Sequence, residues 1–362
     1  MRWPLGNRTK DAESKPKSWR RFVVLFFAAF VEVLAAAYVF ILLVDPYDII
    51  PFSLPLDRRI VSISFSFMYP QVVRSRRFDS YIIGTSTSRL IDPEILNGPF
   101  RARFANLAMN SMLAWEQKTM ADYFQRHVGP PKVLIVGIDL VWCAPDADTH
   151  RHNPVGWPDW IYDDNPWNDY LYLLNSATFE IAVRLVGFQL GLYRERIRFD
   201  GYEEFTPPEE TYDVTRARQL IWDHRPRATP PDLPPPPLSE TERQALSFPA
   251  LRWLDEILTQ MPAATRKVLV YMPVHVATQP WPGTREAAVE ADCKARIADI
   301  ARKTGSKVID WRISSPLTRE DANYWDRLHY RLPIAQKIAR ELPPAALEDR
   351  ESADGSYRLT VR

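Results

Sequence analysis

Tyr81-Ile-Ile-Gly-Thr-Ser-Thr-Ser-Arg-Leu90 is the stretch on which the reading of this chain turns. Ser80 to Ile83 reads as the end of a short buried strand. Gly84 then allows a sharp backbone turn, because it has no Cβ to clash at positive φ. Thr85 to Ser88 are small and hydroxylated, as a helix N-terminus prefers. A strand that turns into a helix leaves backbone N–H groups facing outward, where they stabilise an anion. A serine at that point has the placement of an exposed nucleophile beside an oxyanion site. An ordinary capped turn uses the same residue types, so the choice between the two rests on the remainder of the chain.

Outward from this stretch, strands and helices alternate. A helix is expected over Asp92 to Leu96, with Asp92 as cap and Pro93 at its first position. Phe104-Ala-Asn-Leu-Ala108 predicts a second strand. Leu113 to His127 predicts a helix, since Leu113, Trp115, Met120, Tyr123 and Phe124 fall mostly on one side. Lys132-Val-Leu-Ile-Val-Gly137 is a continuous apolar run of the kind found in buried parallel strands. The rhythm returns later with a helix over Pro249 to Met261, a strand over Lys267 to Met272, a helix over Thr284 to Thr304 and a strand over Lys307 to Asp310. A last helix runs from about Pro333 to Leu342. This alternation predicts an α/β fold with a parallel sheet.

Between about Cys143 and Ser247 the pattern breaks, and Trp, Tyr, Pro and Asp become frequent. Trp157, Trp160, Trp167 and Tyr170 crowd one part of it, Asn168 to Leu192 contains a helical pattern, and Asp232 to Leu238 reads as extended polyproline. We read 143–247 as a cap-like insertion over the strand ends. Its aromatics suit either packing or a carbohydrate platform.

Met1 to Ser18 is polar, and Lys15, Lys17, Arg20 and Arg21 precede an apolar run from Phe22 to Val44 that only Glu32 interrupts. At 1.5 Å per residue such a run crosses a hydrocarbon core of about 30 Å. Ala35-Ala-Ala37 resembles a signal-peptide cleavage site, but Tyr38 to Val44 continues the run and favours an uncleaved anchor. The basic flank places Met1 in the cytoplasm and the rest in the periplasm or outside the cell. Glu32 is expected to be tolerated or to face another membrane protein. The expected layout is thus a tail at 1–21, a transmembrane helix at 22–44 and a linker at 45–78. An α/β domain follows at 79–142 and 248–342, holding the insertion at 143–247, and a loose tail closes the chain at 343–362.

The formal net charge of +1 gives no reason to expect a nucleic-acid partner. Two cysteines, Cys143 and Cys293, are too few for a zinc cluster or a disulfide scaffold, though one bridge is open to them in an oxidising compartment. With 32 Pro against 12 Gly, the irregular segments should be stiff. His150 and His152 stand near Asp146 and Asp148 but match no metal-ligand spacing, so no metal and no cofactor are expected.

Asn323-Tyr-Trp-Asp-Arg-Leu-His-Tyr330 sits just before the last helix and contains Asp-x-x-His, Asp326 and His329. In a tight turn the carboxylate can hold the imidazole in one tautomer and leave the other nitrogen free as a base. A Gly-x-Ser turn after the first core strand, together with Asp-x-x-His before the last helix, resembles the SGNH (GDSL-like) hydrolase superfamily. The resemblance covers roughly Ser80 to Leu342 with the insertion outside it. It implies a three-layer α/β/α, flavodoxin-like sheet with Ser86 as nucleophile and Asp326 and His329 completing the triad. With the anchor in front, the layout resembles the alginate O-acetylation and lipoteichoic acid D-alanylation proteins of bacterial surfaces. That implies an esterase or O-acyltransferase acting on an envelope polysaccharide, with the inner membrane and a membrane acyltransferase as partners.

The chain departs from the family pattern in three places. Thr85 replaces an Asp. Ser111 or Asn110 stands where the second block has an oxyanion-hole Gly. Asp139 replaces the Asn of the third block, and an ionised carboxylate repels an oxyanion. Ser88 is the nearest rival nucleophile, and His275 follows a core strand and is a candidate substrate ligand. The altered oxyanion blocks leave a second reading open, a catalytically weak scaffold or binding subunit of a polysaccharide complex.

Overall fold

The computed structural model describes residues 15–148, 157–223, 226–231 and 233–362. The helices are α1 Lys15–Val44, α2 Phe65–Arg74, α3 Pro93–Phe100, α4 Ala114–His127, α5 Asp159–Tyr162, α6 Pro166–Tyr172 and α7 Ser176–Gln189. They continue with α8 Val214–Trp222, α9 Glu240–Ala245, α10 Leu251–Thr259, α11 Arg285–Thr304, α12 Pro316–Arg319 and α13 Leu332–Glu348. The strands are β1 Ser80–Ile83, β2 Phe104–Asn106, β3 Val133–Ile138, β4 Arg266–Tyr271, β5 Lys307–Asp310 and β6 Arg358–Val361. The chain forms two compact units: Met1–Arg58 with Asn165–Tyr193, and Arg59–Asp164 with Arg194–Arg362.

The larger unit is α/β. Its sheet has the order β2-β1-β3-β4-β5-β6. The first five strands are parallel, with Tyr81 opposite Leu134 and Ile135 opposite Val268, and β6 runs antiparallel to β5. Every residue of β1 and β3 is buried, as strands covered on both faces must be. Side chains alternate between those faces. Tyr81 stacks on Phe124 of α4, with ring centroids 4.2 Å apart, while Ile82 joins the cluster of Leu96, Phe100, Ile338 and Leu342 from α3 and α13. The order reverses between β1 and β3, which makes the crevice beyond their C-terminal ends the natural site of the fold.

Several expectations need correction. The sheet is mixed, because the tail from Pro343 is not loose. α13 runs on to Glu348, burying Leu342, Pro343, Ala345 and Ala346, and β6 then pairs along β5. Tyr357 covers Trp311, with centroids 4.6 Å apart, and this apolar contact anchors the returning strand. The lead-in before β1 contains α2, whose Phe65, Met68, Tyr69 and Val72 are buried although Pro70 lies inside it. Pro70 has no N–H for the Ser66 carbonyl four residues back, and the Tyr162 hydroxyl donates to that carbonyl instead, at 2.8 Å. Within the expected tail at 1–21, Lys15 to Arg21 already belong to α1; residues 1–14 lie outside the described residues.

The stretch 143–247 is not one insertion. Residues 143–164 and 194–247 stay with the α/β unit, whereas Asn165–Tyr193 belongs with α1. The aromatic group splits accordingly. Trp157 stacks on Tyr162 at 4.4 Å and meets Trp115 edge-on, so it packs, while Trp167 and Tyr170 lie in the smaller unit. Residues 233–238 carry no helix or strand, and Asp232, like His150 and His152, lies outside the described residues.

In the smaller unit, Trp19–Val44 of α1 is long and apolar enough to span a membrane. Below Val44 the chain turns on Asp45, which is fully buried. Its carboxylate accepts the Ile49 and Ile50 N–H groups at 3.1 and 2.8 Å and the Ser53 hydroxyl, while Arg58 lies 3.7 Å away. α7 packs against α1 and buries Thr178, Ile181, Ala182 and Leu185.

Candidate active site

Ser86 opens a single 3-10 turn, Ser86–Ser88, directly beyond β1. Gly84 between them has φ +156°, and a Cβ there would lie 2.5 Å from Ser88 Oγ and 3.2 Å from the Gly137 Cα. A Cβ on Gly137 would strike the same hydroxyl. The two glycines therefore let β1, β3 and the turn close together over the Ser88 side chain. Ser88 is fully buried and among the described residues its hydroxyl has no partner, so it is not the exposed nucleophile. Asn106 at the end of β2 braces the turn, donating from Nδ2 to the carbonyls of Ser88 and Ile91, each at 2.9 Å, and accepting the Ala108 N–H.

His329 arrives from the loop before α13. Tyr324 and Tyr330 form an antiparallel bridge, Trp325 N–H donates to the His329 carbonyl at 2.9 Å, and Arg331 N–H to the Asn323 carbonyl at 2.9 Å. Both tyrosines are buried, and the Tyr330 hydroxyl donates to the Thr87 carbonyl, tying this hairpin to the serine turn. His329 Nε2 lies 3.0 Å from Ser86 Oγ, and Nδ1 lies 2.8 Å from Asp326 Oδ2. Asp326 Oδ1 accepts the Leu328 and His329 N–H groups at 2.7 and 2.9 Å. Burial opposes ionisation of Asp326. Its hydrogen bond with His329, together with the two backbone N–H groups, outweighs it and holds the carboxyl below its ordinary range. An ionised carboxylate only accepts, so Nδ1 donates to Asp326, and in the tautomer with its proton there Nε2 is the acceptor for the Ser86 hydroxyl.

Ser86 opens into a cleft of about 290 Å³, lined also by Thr85, Ser111, Asp139, Val274, Arg312 and Leu328. These residues follow β1, β2, β3, β4 and β5, so the cleft sits at the C-terminal edge of the sheet. Ser111 has φ +52°, a left-handed conformation that a side chain tolerates only at a cost. Among the described residues its N–H has no backbone acceptor. Asp139 accepts the Thr85 hydroxyl on one oxygen and the Val141 N–H on the other at 3.1 Å, capping the turn Leu140–Trp142. Burial raises its carboxyl above the ordinary range, with the Thr85 and Val141 hydrogen bonds pulling the other way.

Two expected site residues stand elsewhere. Asn110 does not line the cleft; its Oδ1 accepts from Arg89 Nη1 at 2.8 Å. His275 is fully buried and does not face the cleft. Its Nδ1 accepts the Ala277 N–H at 3.1 Å and its Nε2 lies 3.1 Å from Asp321 Oδ1, with Trp222 and Tyr324 edge-on around the ring. Its backbone N–H donates to the Arg327 carbonyl at 3.0 Å, so its contribution is to hold the histidine loop.

No family model and no curated protein matches the chain.

Sequence reasoning also missed residues that shape this region. Buried Arg89 pairs with Glu203 and lies between the Phe65 and Phe205 rings at 4.4 and 4.5 Å, and Phe205 meets the His329 ring edge-on at 5.8 Å. Arg312 is held by Glu290 through two hydrogen bonds of 2.9 and 3.2 Å. From residues 194–247, Glu209 accepts from Arg331 and from the first-turn Leu332 N–H of α13, which has no acceptor within the helix, and Arg218 and Trp222 donate to buried Asp321 at 3.0 and 3.2 Å. The usable signal was Arg89 directly after the serine motif; the partners of these residues are far apart in sequence. Cys143 and Cys293 form a disulfide, with Cα atoms 5.9 Å apart, joining the segment after β3 to α11. Among the described residues no group of three metal-binding side chains occurs.

Proposed function

We propose that the chain is a membrane-anchored, SGNH-like serine esterase or O-acyltransferase acting on ester groups of an envelope or extracellular polysaccharide. The observation that carries this reading is the relay Ser86–His329–Asp326, at 3.0 and 2.8 Å, opening into a cleft at the point where the strand order reverses. In this reading Ser86 Oγ attacks the ester carbonyl while His329 Nε2 takes its proton. The tetrahedral oxyanion is held by the backbone N–H groups of Ser86 and Ser111. Collapse breaks the ester C–O bond, His329 returns the proton to the departing alkoxide, and an acyl-serine remains. A sugar hydroxyl or water, deprotonated by His329, then attacks the acyl carbonyl, the Ser86 Oγ–acyl bond breaks, and His329 returns the proton to Ser86 Oγ. The sequence requires no metal and no cofactor.

The disulfide supports residence outside the cytoplasm, since such bridges persist in oxidising compartments. It agrees in direction with the basic residues Lys15, Lys17, Arg20 and Arg21 ahead of the apolar run of α1. Residues 194–247 serve as the cap, bracing the histidine loop through Glu209, Arg218 and Phe205. The two departures at Thr85 and Asp139 are hydrogen-bonded to each other, which supports a compensated change rather than decay of the site. Asp139 in place of an amide donor favours the second reading, a scaffold or binding subunit that works beside a membrane acyltransferase. A fluorophosphonate probe separates the two. The enzyme reading expects labelling of the full-length protein that Ser86→Ala and His329→Ala each abolish, while absence of labelling leaves the scaffold.

A further inference from the structure

The segment Asn165–Tyr193 leaves and rejoins the α/β unit yet belongs with the N-terminal helix. Its 29 residues hold only three charged side chains, Asp169, Glu180 and Arg184, and the last two pair with each other at 2.8 Å. α7 buries Ile181, Ala182 and Leu185 against α1, but Trp167, Leu171, Tyr172, Leu190 and Leu192 are each more than half exposed. Water is a poor solvent for so many large apolar groups on one short element. The exposed apolar side chains of α1, from Phe22 to Leu43, present the same surface on the neighbouring helix.

Length decides what α6 and α7 do there. At 1.5 Å per residue, the 14 residues of α7 reach about 21 Å, short of a hydrocarbon core of about 30 Å, and α6 is half as long. The two helices meet at 87°, so they do not make one straight span. They attach to the C-terminal end of α1. Tyr38 Oη donates to the Tyr170 carbonyl at 2.7 Å, the Phe40 and Phe179 rings meet at 5.8 Å, and the Tyr47 and Thr178 hydroxyls lie 3.1 Å apart. An open apolar groove of about 440 Å³ runs between Tyr38 and Trp167, Tyr170, Leu171 and Leu174. Tyr and Trp collected at one end of a spanning helix mark the membrane–water interface.

We propose that α6 and α7 are a second membrane attachment, a bent helix pair seated in the bilayer interface at the C-terminal end of α1, with acyl chains filling the groove beside Tyr38. This rests on the reading of α1 as a membrane anchor and is independent of the chemistry assigned to Ser86. The occupant is lipid rather than protein, because the groove is walled in part by Tyr38 of α1, a helix itself long and apolar enough to span a membrane. The pair also turns an anchor attached to the α/β unit at one point of the chain into one attached at three, at residues 58/59, 164/165 and 193/194.

The test uses full-length protein in vesicles of phosphatidylethanolamine and phosphatidylglycerol. Leu171→Cys and Leu190→Cys are labelled in turn with an environment-sensitive fluorophore; the native cysteines are bonded to each other and do not react. Phe30→Cys in α1 and exposed Asp299→Cys on α11 are controls. The expected result is a blue shift at 171 and 190, loss of emission when the lipids carry a doxyl group near the headgroup, and no loss with iodide. Asp299→Cys should behave oppositely. Quenching of 171 and 190 by iodide while 30 is quenched by doxyl lipid would keep the anchor and overturn the second attachment. Positions 171 and 190 shielded from both quenchers would mean a protein covers them, which also overturns it. Failure of lipid quenching at 30 as well would overturn the anchor reading itself.

Discussion

Replacing Asp326 by Asn changes one atom and tests the relay directly. In the native loop Oδ1 accepts two backbone N–H groups, from Leu328 and His329, while Oδ2 faces the His329 Nδ1. An amide has one acceptor oxygen and one NH2 donor. If its oxygen keeps the two backbone bonds, the NH2 faces Nδ1 and the imidazole must carry its proton on Nε2, where it can no longer accept from Ser86. If the amide turns over, two backbone N–H groups lose their acceptor and meet a donor, at about 1–3 kcal/mol each. The first arrangement is therefore favoured, and the loop keeps its shape with the wrong tautomer. In serine triads that exchange lowers turnover by about four powers of ten, which at about 1.36 kcal/mol per tenfold is about 5.5 kcal/mol of lost transition-state stabilisation. The assay is the rate of fluorophosphonate labelling and of small-ester hydrolysis at neutral pH, with thermal unfolding as control for the fold. A variant that labels at the native rate would refute the claim that Asp326 sets the tautomer of His329.

Four further outcomes follow from the structure. Burial holds the His275 imidazole below its ordinary range, with Asp321 opposing, so the unfolded chain binds a proton that the folded chain resists. Stability should therefore fall as pH drops below about 6.5, and denaturant midpoints measured against pH should show a shallower slope in His275→Gln. Ser88→Ala should leave labelling intact and stability unchanged or raised by about 1 kcal/mol, because a buried hydroxyl without a partner is lost; Gly137→Ala should cost about 1–3 kcal/mol by overpacking onto that side chain. Removing the disulfide with Cys143→Ala and Cys293→Ala should lower unfolding free energy by at most about 5 kcal/mol, the chain-entropy value for a loop of 150 residues. Denaturant curves of native and variant protein check it.

Local sequence carried the serine turn and the histidine loop because each is built from neighbours. Gly84, Thr85 and Ser86 are consecutive, and Asp326 closes its loop onto residues two and three positions later. The apolar runs at Ile82 and Val133–Ile138 likewise announced strands buried on both faces, and the run from Phe22 announced a helix long and apolar enough to span a membrane. Asp139 and Asn110 were suggested by position in a pattern, but the direction a side chain takes depends on what waits for it. Asp139 met the Thr85 hydroxyl, and Asn110 met an arginine that Glu203 and two aromatic rings had already fixed.

What the sequence determined by itself, then, are features whose cause lies within a few residues: the period of apolar positions, the glycine that permits a turn, the prolines and caps that start helices. Tertiary structure decided the rest. Ser88 and Ser86 are chemically equal, and only the closeness of Gly84 and Gly137 buries one and leaves the other in the cleft. The tail became a strand because Trp311 offered Tyr357 a surface, and α2 tolerates Pro70 because Tyr162 serves the carbonyl it abandons. The aromatic stretch after Cys143 split because α7 packed against α1, carrying α6 with it away from the sheet. In each case the deciding partner is remote along the chain, and burial and hydrogen-bond satisfaction are set by what the fold brings near.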